Sequence, residues 1–272
     1  MNGRLRARFA CRAGRTRTVC LAAEPPLRGL ALRGGAELMV ATLGPGLMGG
    51  DRHQVDVAVE PGASASVSAQ AATRVLVSRG GFGARVDVRL DVARGARLDW
   101  RPLPTILQAG AVYHQRVCVR VAPGAFARLW DVIVPGRLAC GECFAFEELD
   151  AAVRAEAADG TLLAAERLRL RPGVEDPTAL GRLPGPNVVV GSLWLLAPGR
   201  PLGGCAEQVA AVLGGQAAAR ASSPQPHAPH EGARCGVSEL PNEAGLLVRA
   251  LGPSAEAVER TLDLAAWLFP QS

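Results

Sequence analysis

The chain has 272 residues, and its 30 basic side chains against 25 acidic ones give a formal net charge of +5. So small a charge excess, with only 4% aromatic residues, argues against a dedicated nucleic-acid binder. With 49% apolar and 20% charged residues the chain can bury a large core. This composition excludes a disordered or collagen-like protein and predicts a globular one.

The N-terminal segment and the cysteines bear on where the protein works. Arg4, Arg6 and Arg8 alternate with apolar residues, and this period of two is typical of a half-buried strand, not of a targeting helix. The longest nearly uninterrupted apolar stretch, Val188 to Ala197, is far shorter than the roughly 20 residues of a membrane-spanning helix. The chain has seven cysteines, an odd number, and their spacing is not that of a disulfide-rich secreted domain. We therefore expect a soluble, cytoplasmic protein without a membrane partner.

Alternating apolar residues predict strands throughout the first two thirds of the chain. The strand candidates in chain order are Glu37 to Thr42, Thr73 to Ser78, Phe82 to Val92, Phe126 to Val134, Ala151 to Ala155 and Leu162 to Leu170. A related unit occurs three times, around Gly62, Gly95 and Gly124, with spacings of 33 and 29 residues. In each copy the alternation enters a turn ending in glycine and resumes beyond it, which we interpret as an antiparallel hairpin. Such a repeat indicates stacked or helically wound β layers.

The last third of the chain differs in character. The proline- and glycine-rich stretch from Arg171 to Asn187 predicts an extended loop. Gly203 to Leu213 predicts a short helix, and Ser254 to Phe269 predicts an amphipathic one. The intervening residues, about 214–236, are low in complexity and predict a mobile loop.

These elements predict one mainly β domain over residues 1–272. The expected architecture is a layered or superhelical arrangement of antiparallel strands and hairpins, with a few helices that are chiefly C-terminal. Its β-rich part covers about residues 1–200, and its helix-containing part covers about residues 201–272.

Two pairs of soft side chains have metal-like spacing. Cys140 and Cys143 form a CxxC motif, which suits two thiolate ligands or a redox pair. A closed zinc site needs four ligands, and no second CxxC or histidine pair lies nearby, so we favour two small buried side chains near a turn. His227 and His230 are weak ligand candidates for a soft divalent ion, but their low-complexity surroundings favour a solvated linker. A thiol-dependent enzyme or redox protein using Cys140 and Cys143 is the alternative function.

Four acidic residues stand in unusual places. Asp51 follows a glycine-rich loop, Asp131 interrupts an apolar strand, Glu142 lies in a turn, and Glu166 precedes alternating arginines. A carboxylate buried in a strand needs a hydrogen bond or a charge partner, because an isolated buried charge costs several kcal/mol. Structural ion pairs with the many arginines are therefore the alternative to a functional role.

Several short sequence motifs resemble those of a single protein family, and they occur in the same order along the chain. The motifs are Gly49-Gly50-Asp51, Pro61-Gly62-Ala63, Gln70 to Val75, Leu98 to Pro102, Pro104 to Leu107, Trp130-Asp131, Gly136-Arg137, Gly141-Glu142 and Glu166 to Leu170. Over roughly residues 27–170 the chain is similar to the urease accessory protein D family, also called UreD or UreH.

This resemblance implies a non-enzymatic maturation factor with a mainly β, superhelical fold. It would dock on apo-urease and, with the F and G accessory proteins, support GTP-dependent insertion of nickel. No tightly bound cofactor is implied, and nickel would pass only transiently along an internal polar path. The motif-matched positions expected along that path are Asp51, Thr73, Asp131 and Glu166, with Glu142 second. Oxygen ligands hold nickel more weakly than imidazole or thiolate does, so such a path can pass the ion without trapping it.

The chain departs from the family pattern in three places. Residues Leu30 to Leu47 contain no aromatic side chain, where the family usually has a proline-rich aromatic stretch. Cys140 and Cys143 stand where the family tolerates other residues, so the CxxC motif is not implied to be a nickel site. The segment of about residues 214–236 is an expansion, and its two histidines receive no role from the resemblance.

Overall fold

The computed structural model of the protein describes residues 1–174, 188–200, 204–221 and 232–269. Strands dominate this part of the chain. In chain order they are β1 (Asn2–Arg12), β2 (Arg15–Glu24), β3 (Leu27–Leu32), β4 (Glu37–Thr42), β5 (Arg52–Val59), β6 (Ser64–Ala69), β7 (Thr73–Val75), β8 (Ala84–Val92), β9 (Arg97–Arg101), β10 (Thr105–Leu107), β11 (Val112–Val121), β12 (Phe126–Val134), β13 (Glu148–Ala157), β14 (Leu162–Leu170), β15 (Val189–Leu196), β16 (Arg234–Glu239) and β17 (Gly245–Gly252). The helices are α1 (Cys205–Ala221) and α2 (Ala255–Leu268).

The strands form two stacked sheets. The seven-stranded sheet has the order β14-β13-β11-β8-β5-β1-β2. The ten-stranded sheet has the order β16-β17-β15-β12-β9-β6-β4-β3, with the short strands β10 and β7 attached beside β12. The mainly β class and the stacked layers are therefore confirmed.

The three glycine turns connect the two sheets. Gly62, Gly95 and Gly124 have φ values of 70°, 67° and 74°. In each repeat the strand before the turn lies in the seven-stranded sheet, and the strand after it lies in the ten-stranded sheet. Equivalent strands of successive repeats then pair in parallel, β5 with β8 and β8 with β11 on one side, β6 with β9 and β9 with β12 on the other.

The prediction of three antiparallel hairpins was therefore wrong, although the prediction of a wound repeat holds. Alternation of apolar residues shows which face of a strand is buried, and it is the same whether the next strand pairs with it or crosses to the opposite sheet. Antiparallel pairs are found instead at the ends of the stack, in β1 with β2, β13 with β14, and β15 with β17.

Individual strands agree well with their predicted positions. The bounds of β4, β12 and β14 match those read from the sequence. On β1 the apolar residues Leu5, Ala7 and Phe9 are buried, while the alternating arginines are exposed. Other predicted bounds differ by a few residues, since β7 ends at Val75 and β13 extends from Glu148 to Ala157.

The helical part differs more from prediction. Helix α2 agrees closely, and Ser254 caps it by accepting a hydrogen bond from the Ala257 amide at 3.2 Å. Helix α1, however, runs to Ala221, and β16 starts at Arg234. The loop predicted over about 214–236 was therefore too long at both ends. Its alanine-rich beginning has high helix propensity, and its last residues, Arg234 to Gly236, belong to β16. Residues 222–231 lie outside the described part of the chain, as do residues 175–187 of the other predicted loop.

Two apolar layers hold these elements. The inner faces of both sheets enclose the larger core, and the outer face of the ten-stranded sheet packs against the helices, including Val258 and Leu262 of α2. No described helix combines the length and the apolar character required to cross a membrane. A single domain over the whole chain stays a prediction.

Candidate functional site

A cavity of about 370 Å³ interrupts the core between the two sheets. Its walls are largely apolar and include Trp100, Trp130 and Trp194. Exposed loop residues such as Gly44 and Gln70 form part of its lining, so the cavity reaches the protein surface. Because the cavity is of this size and opens to solvent, a small solute can enter it.

Polar side chains from both sheets also line this cavity. The more enclosed of them are His53, Thr73, Thr105, Tyr113, Gln115 and Asp131, and the lining also includes Thr42, Ser68, Gln70 and Arg74. Strand pairing brings them together, because Thr73 is in register with Thr105 on the neighbouring strand. His53 and Gln115 are both in register with Val86 of β8, which lies between their strands.

A chain of hydrogen bonds leads to Asp131. The Tyr113 hydroxyl donates to Gln115 Oε1 at 2.9 Å, and Gln115 Nε2 donates to Asp131 Oδ2 at 3.1 Å. Burial raises the pKa of Asp131 to about 6, while the Gln115 hydrogen bond and the charge of Arg249 oppose that rise. Burial also raises the pKa of the Tyr113 phenol, which therefore remains a donor. At pH 7 most Asp131 side chains are carboxylates.

A second, smaller cavity of about 20 Å³ also borders Asp131. Glu166, Ser192 and Arg249 line it, and Arg249 forms an ion pair with Glu166. Strand register places Asp131 beside Ser192 and Ser192 beside Arg249. The space is about that of one water molecule.

Asp131 connects the two cavities. Asp131, Val153 and Trp194 line both of them, and Asp131 is the only charged residue of these three. Asp131 is half-buried, so part of its surface is available to whatever fills the cavities. The Asp131 carboxylate therefore lies between the larger cavity and the smaller cavity beside Glu166.

Asp51 lies outside the lining of both cavities. It is buried, and its carboxylate accepts from the Met48 amide at 2.9 Å and forms an ion pair with the α-ammonium group of Met1. Burial opposes ionisation of Asp51, but these two hydrogen bonds outweigh it and lower the pKa of the carboxyl group. Its contacts fix the turn before β5, and a role of Asp51 in the nickel path stays a prediction.

Glu142 also lies away from the cavities and fixes a turn. It accepts hydrogen bonds from the Ala109 amide at 3.1 Å and from Arg137 Nη2 at 2.6 Å. The hydrogen bond from Arg137 is the largest cause that lowers the pKa of Glu142. These bonds tie the segment after β12 to the turn before β11, and a role of Glu142 in the nickel path stays a prediction.

The cysteine pair shares this turn. Cys140 and Cys143 are both free and exposed, so the expectation that they are buried was wrong. They lie at a short 3-10 turn, Leu138–Cys140, in which no residue is buried. Partial burial raises the pKa of the Cys143 thiol. His227 and His230 lie outside the described residues.

One metal-like cluster was missed from the sequence. In the described part of the chain, only His114, Glu148 and Asp150 bring three candidate ligand atoms within 4.8 Å of one another. They lie on the neighbouring strands β11 and β13. Arg167 already holds Asp150 through two hydrogen bonds of 2.6 and 2.7 Å, and Arg171 holds Glu148 at 3.0 Å. The arginines satisfy these carboxylates, so we assign no metal to the cluster.

His53 was also missed as a site residue. Only 5% of its surface is exposed, and no described residue forms a hydrogen bond with its Nε2. Burial is the largest cause that lowers the pKa of His53, so the ring is neutral at pH 7. The signal in the sequence was its phase, because His53 shares the buried face of β5 with Val55 and Val57.

Comparison with known proteins identifies the fold family. The model of the UreD urease accessory protein family matches residues 1–271. The chain belongs to the UreD family. The urease accessory protein UreD of Haloarcula marismortui is 42% identical over 222 residues, which cover 82% of this chain and 68% of the relative. The UreD protein of Cupriavidus metallidurans is 35% identical over 273 residues, with 97% and 87% coverage.

Some of the motif-matched positions of this UreD family member line a cavity, and others do not. Thr73 and Asp131 line the larger cavity, and Asp131 and Glu166 line the smaller one. Asp51 and Glu142 are in neither lining. The UreD resemblance therefore located three cavity residues, while the placement of Gln115 and His53 in the cavity lining follows only from the stacked sheets.

Proposed function

We propose that the protein is a non-catalytic urease maturation scaffold that supports insertion of nickel into apo-urease. Its membership of the UreD family and the names of its relatives support a role in urease maturation. In the proposed complex it binds the apo-urease subunits together with the F and G accessory proteins, and GTP hydrolysis by the G protein accompanies nickel transfer. Nickel is its cargo, not a resident cofactor, and neither nucleic acid nor a membrane is a partner.

The position of Asp131 is the observation that carries the nickel path. Its carboxylate borders both cavities, so an ion leaving the larger cavity meets an anionic oxygen before it reaches Glu166. Carboxylates, hydroxyls and water bind nickel without the retention that thiolates give. We propose that nickel passes from the larger cavity past Asp131 toward Glu166.

The smaller cavity restricts this route. Its volume of about 20 Å³ suits one water, so a fully hydrated ion has to lose water or the Glu166–Arg249 ion pair has to open. Either event provides a control point at which docking of a partner can act on transfer.

The route is tested by co-expressing urease subunits and the F and G accessory proteins with the wild-type chain, with Asp131→Ala, or without the chain. We expect nickel content and urea hydrolysis to fall for Asp131→Ala nearly to the level without the chain. Asp91→Ala is the matched control, because Asp91 is 57% exposed and pairs with Arg120 on the outer sheet face. Co-purification with urease checks that each variant still docks. Full activation by a docked Asp131→Ala protein would contradict the route, and full activation without the chain would contradict the maturation role.

The free cysteines support a cytoplasmic location, which we include in the proposal. All seven are free thiols, as expected in a reducing compartment. The alternative of a thiol-dependent enzyme finds less support. A reactive cysteine needs a lowered thiol pKa, whereas the pKa of Cys143 is raised by burial.

A further inference from the structure

We propose that His53 Nε2 is a nickel-binding ligand inside the larger cavity, where it holds the ion before the ion reaches Asp131. The choice of nickel as the ion rests on the proposed function, whereas the availability of His53 Nε2 is seen in the structure itself. His53 is 5% exposed, its side chain lines the cavity, and its Nε2 has no hydrogen-bond partner among the described residues. A buried polar atom normally has a partner, so this one is available to a solute or to water in the cavity.

The cavity is large enough for a hydrated ion. Six waters at about 30 Å³ each occupy roughly 180 Å³, against a cavity of about 370 Å³. An ion can therefore enter with most of its water and exchange one water for the imidazole nitrogen. The mouth near Gly44 and Gln70 gives access from solvent.

Ligand chemistry makes His53 different from the rest of the lining. Among the described residues that line the cavity it is the only histidine, and none of them is a cysteine. Imidazole binds nickel more tightly than carboxylate, hydroxyl or water does, and it does not suit magnesium. The oxygen-only path inferred from the sequence therefore gains one nitrogen ligand, which selects nickel over the abundant hard cations.

Its distance from Asp131 allows stepwise transfer. His53 and Gln115 are in register across β5, β8 and β11, so their backbones are two strand spacings, or roughly 10 Å, apart. Gln115 in turn bonds to Asp131. The imidazole and the carboxylate thus border different parts of one cavity, and an ion can leave the first ligand before it reaches the second.

The tryptophans supply a readout that needs no urease. Three of the four, Trp100, Trp130 and Trp194, line the cavity, whereas Trp267 is 76% exposed. A parent protein carrying Trp267→Phe, His227→Ala and His230→Ala then reports through cavity tryptophans alone and lacks the closely spaced histidine pair, which could bind nickel elsewhere. Titration with Ni²⁺ alone is expected to quench this fluorescence saturably, while Mg²⁺ leaves it unchanged.

Adding His53→Leu to this parent is expected to weaken the apparent nickel affinity at least about tenfold, since loss even of a residue behind a metal ligand costs about 10- to 100-fold. His53→Gln provides a second variant of similar size that retains a polar side chain, and thermal unfolding checks that both are folded. His114→Leu is the matched control, because His114 lies on the outer face of the same sheet, and it should leave the titration unchanged.

The outcomes separate the two proposals. Equal titrations for the parent and both His53 variants, or absence of saturable quenching in the parent, would overturn the His53 site and show that Nε2 faces water alone. Neither result would affect the maturation role, which is decided by the nickel content of urease with and without the chain. Conversely, activation of urease without the chain would contradict the maturation role, but a titration that depends on His53 would still show that the protein binds nickel there.

Discussion

Gln115 of the seven-stranded sheet donates a hydrogen bond of 3.1 Å to Asp131 of the ten-stranded sheet. This bond crosses the interior between the sheets, where most neighbouring side chains are apolar. The carboxylate it holds carries a stability cost, because burial disfavours its charged form. Keeping an acid at this position is therefore explained by function better than by stability.

The first prediction concerns the pH dependence that this cost creates. The folded state raises the pKa of Asp131 from 3.8 to about 6, so within that window the folded protein binds protons more tightly than the unfolded chain. The contribution of Asp131 to the free energy of unfolding consequently falls as pH rises from about 4 to 6, by on the order of 3 kcal/mol at most. Asp131→Asn should remove this fall. Urea unfolding at a series of pH values measures it.

Asp91→Asn is the control for that series, since Asp91 is 57% exposed and should leave the slope nearly unchanged. At pH 7 the Asp131→Asn protein should be more stable than wild type, yet poor at activating urease. An unaltered slope for Asp131→Asn would show that the carboxyl group is not held in the environment described.

The second prediction concerns the contact of α2 with its sheet. A Cβ atom added at Gly191 of β15 would lie 2.2 Å from Val258 Cγ1 and 3.0 Å from Leu262 Cδ1. Gly191→Ala should therefore displace α2 and lower the free energy of unfolding by about 1–3 kcal/mol. The matched control is Gly236→Ala on β16, where an added Cβ meets nothing within 4 Å. Its effect should stay within about 0.5 kcal/mol. Equal effects of both variants in urea unfolding would refute this packing.

Local sequence pattern predicted much of the secondary structure but not how the strands are wound. The burial phase of β1 and the bounds of β12 followed from period-two alternation, and α2 followed from its apolar face. Whether a strand after Gly62 pairs with its predecessor or crosses to the other sheet depends on contacts between distant residues. Alternation carries no information on that choice.

The same limit applies to the site. Thr73, Asp131 and Glu166 were found through motif resemblance, because each sits in a recognisable string. The partners of Asp131 and Glu166 were not found from the sequence. Gln115, which bonds to Asp131, lies on the opposite sheet, and Arg249 is 83 residues from Glu166. The inward phase of His53 was visible in the sequence, but the cavity it borders is produced only by the stacked sheets.

A third prediction tests the cysteine pair. Cys140 and Cys143 are exposed and free, so replacing both with alanine should change the free energy of unfolding by no more than about 0.5 kcal/mol. The double variant should also activate co-expressed urease fully, measured by nickel content and urea hydrolysis. Loss of activation in a folded double variant that still docks would favour a thiol-dependent function.

The last prediction concerns the ion pair of Glu166 with Arg249 beside the smaller cavity. Glu166→Gln leaves the Arg249 cation unbalanced next to the proposed route, where it repels a divalent ion. A rise of 1.4 kcal/mol in the barrier slows transfer tenfold, and an unbalanced charge at an effective dielectric constant of about 20 can exceed that rise. We therefore expect Glu166→Gln to reduce the rate of urease activation roughly tenfold.

Adding Arg249→Met to Glu166→Gln removes the unbalanced cation and should recover most of the lost rate. The measurement is nickel incorporated per urease over time in a reconstituted activation mixture, with co-purification showing that each variant docks equally. If the double variant is as slow as Glu166→Gln alone, the charge of Arg249 is not the obstacle and the carboxylate of Glu166 is itself needed for transfer. If Glu166→Gln activates urease at the wild-type rate, nickel does not pass this ion pair.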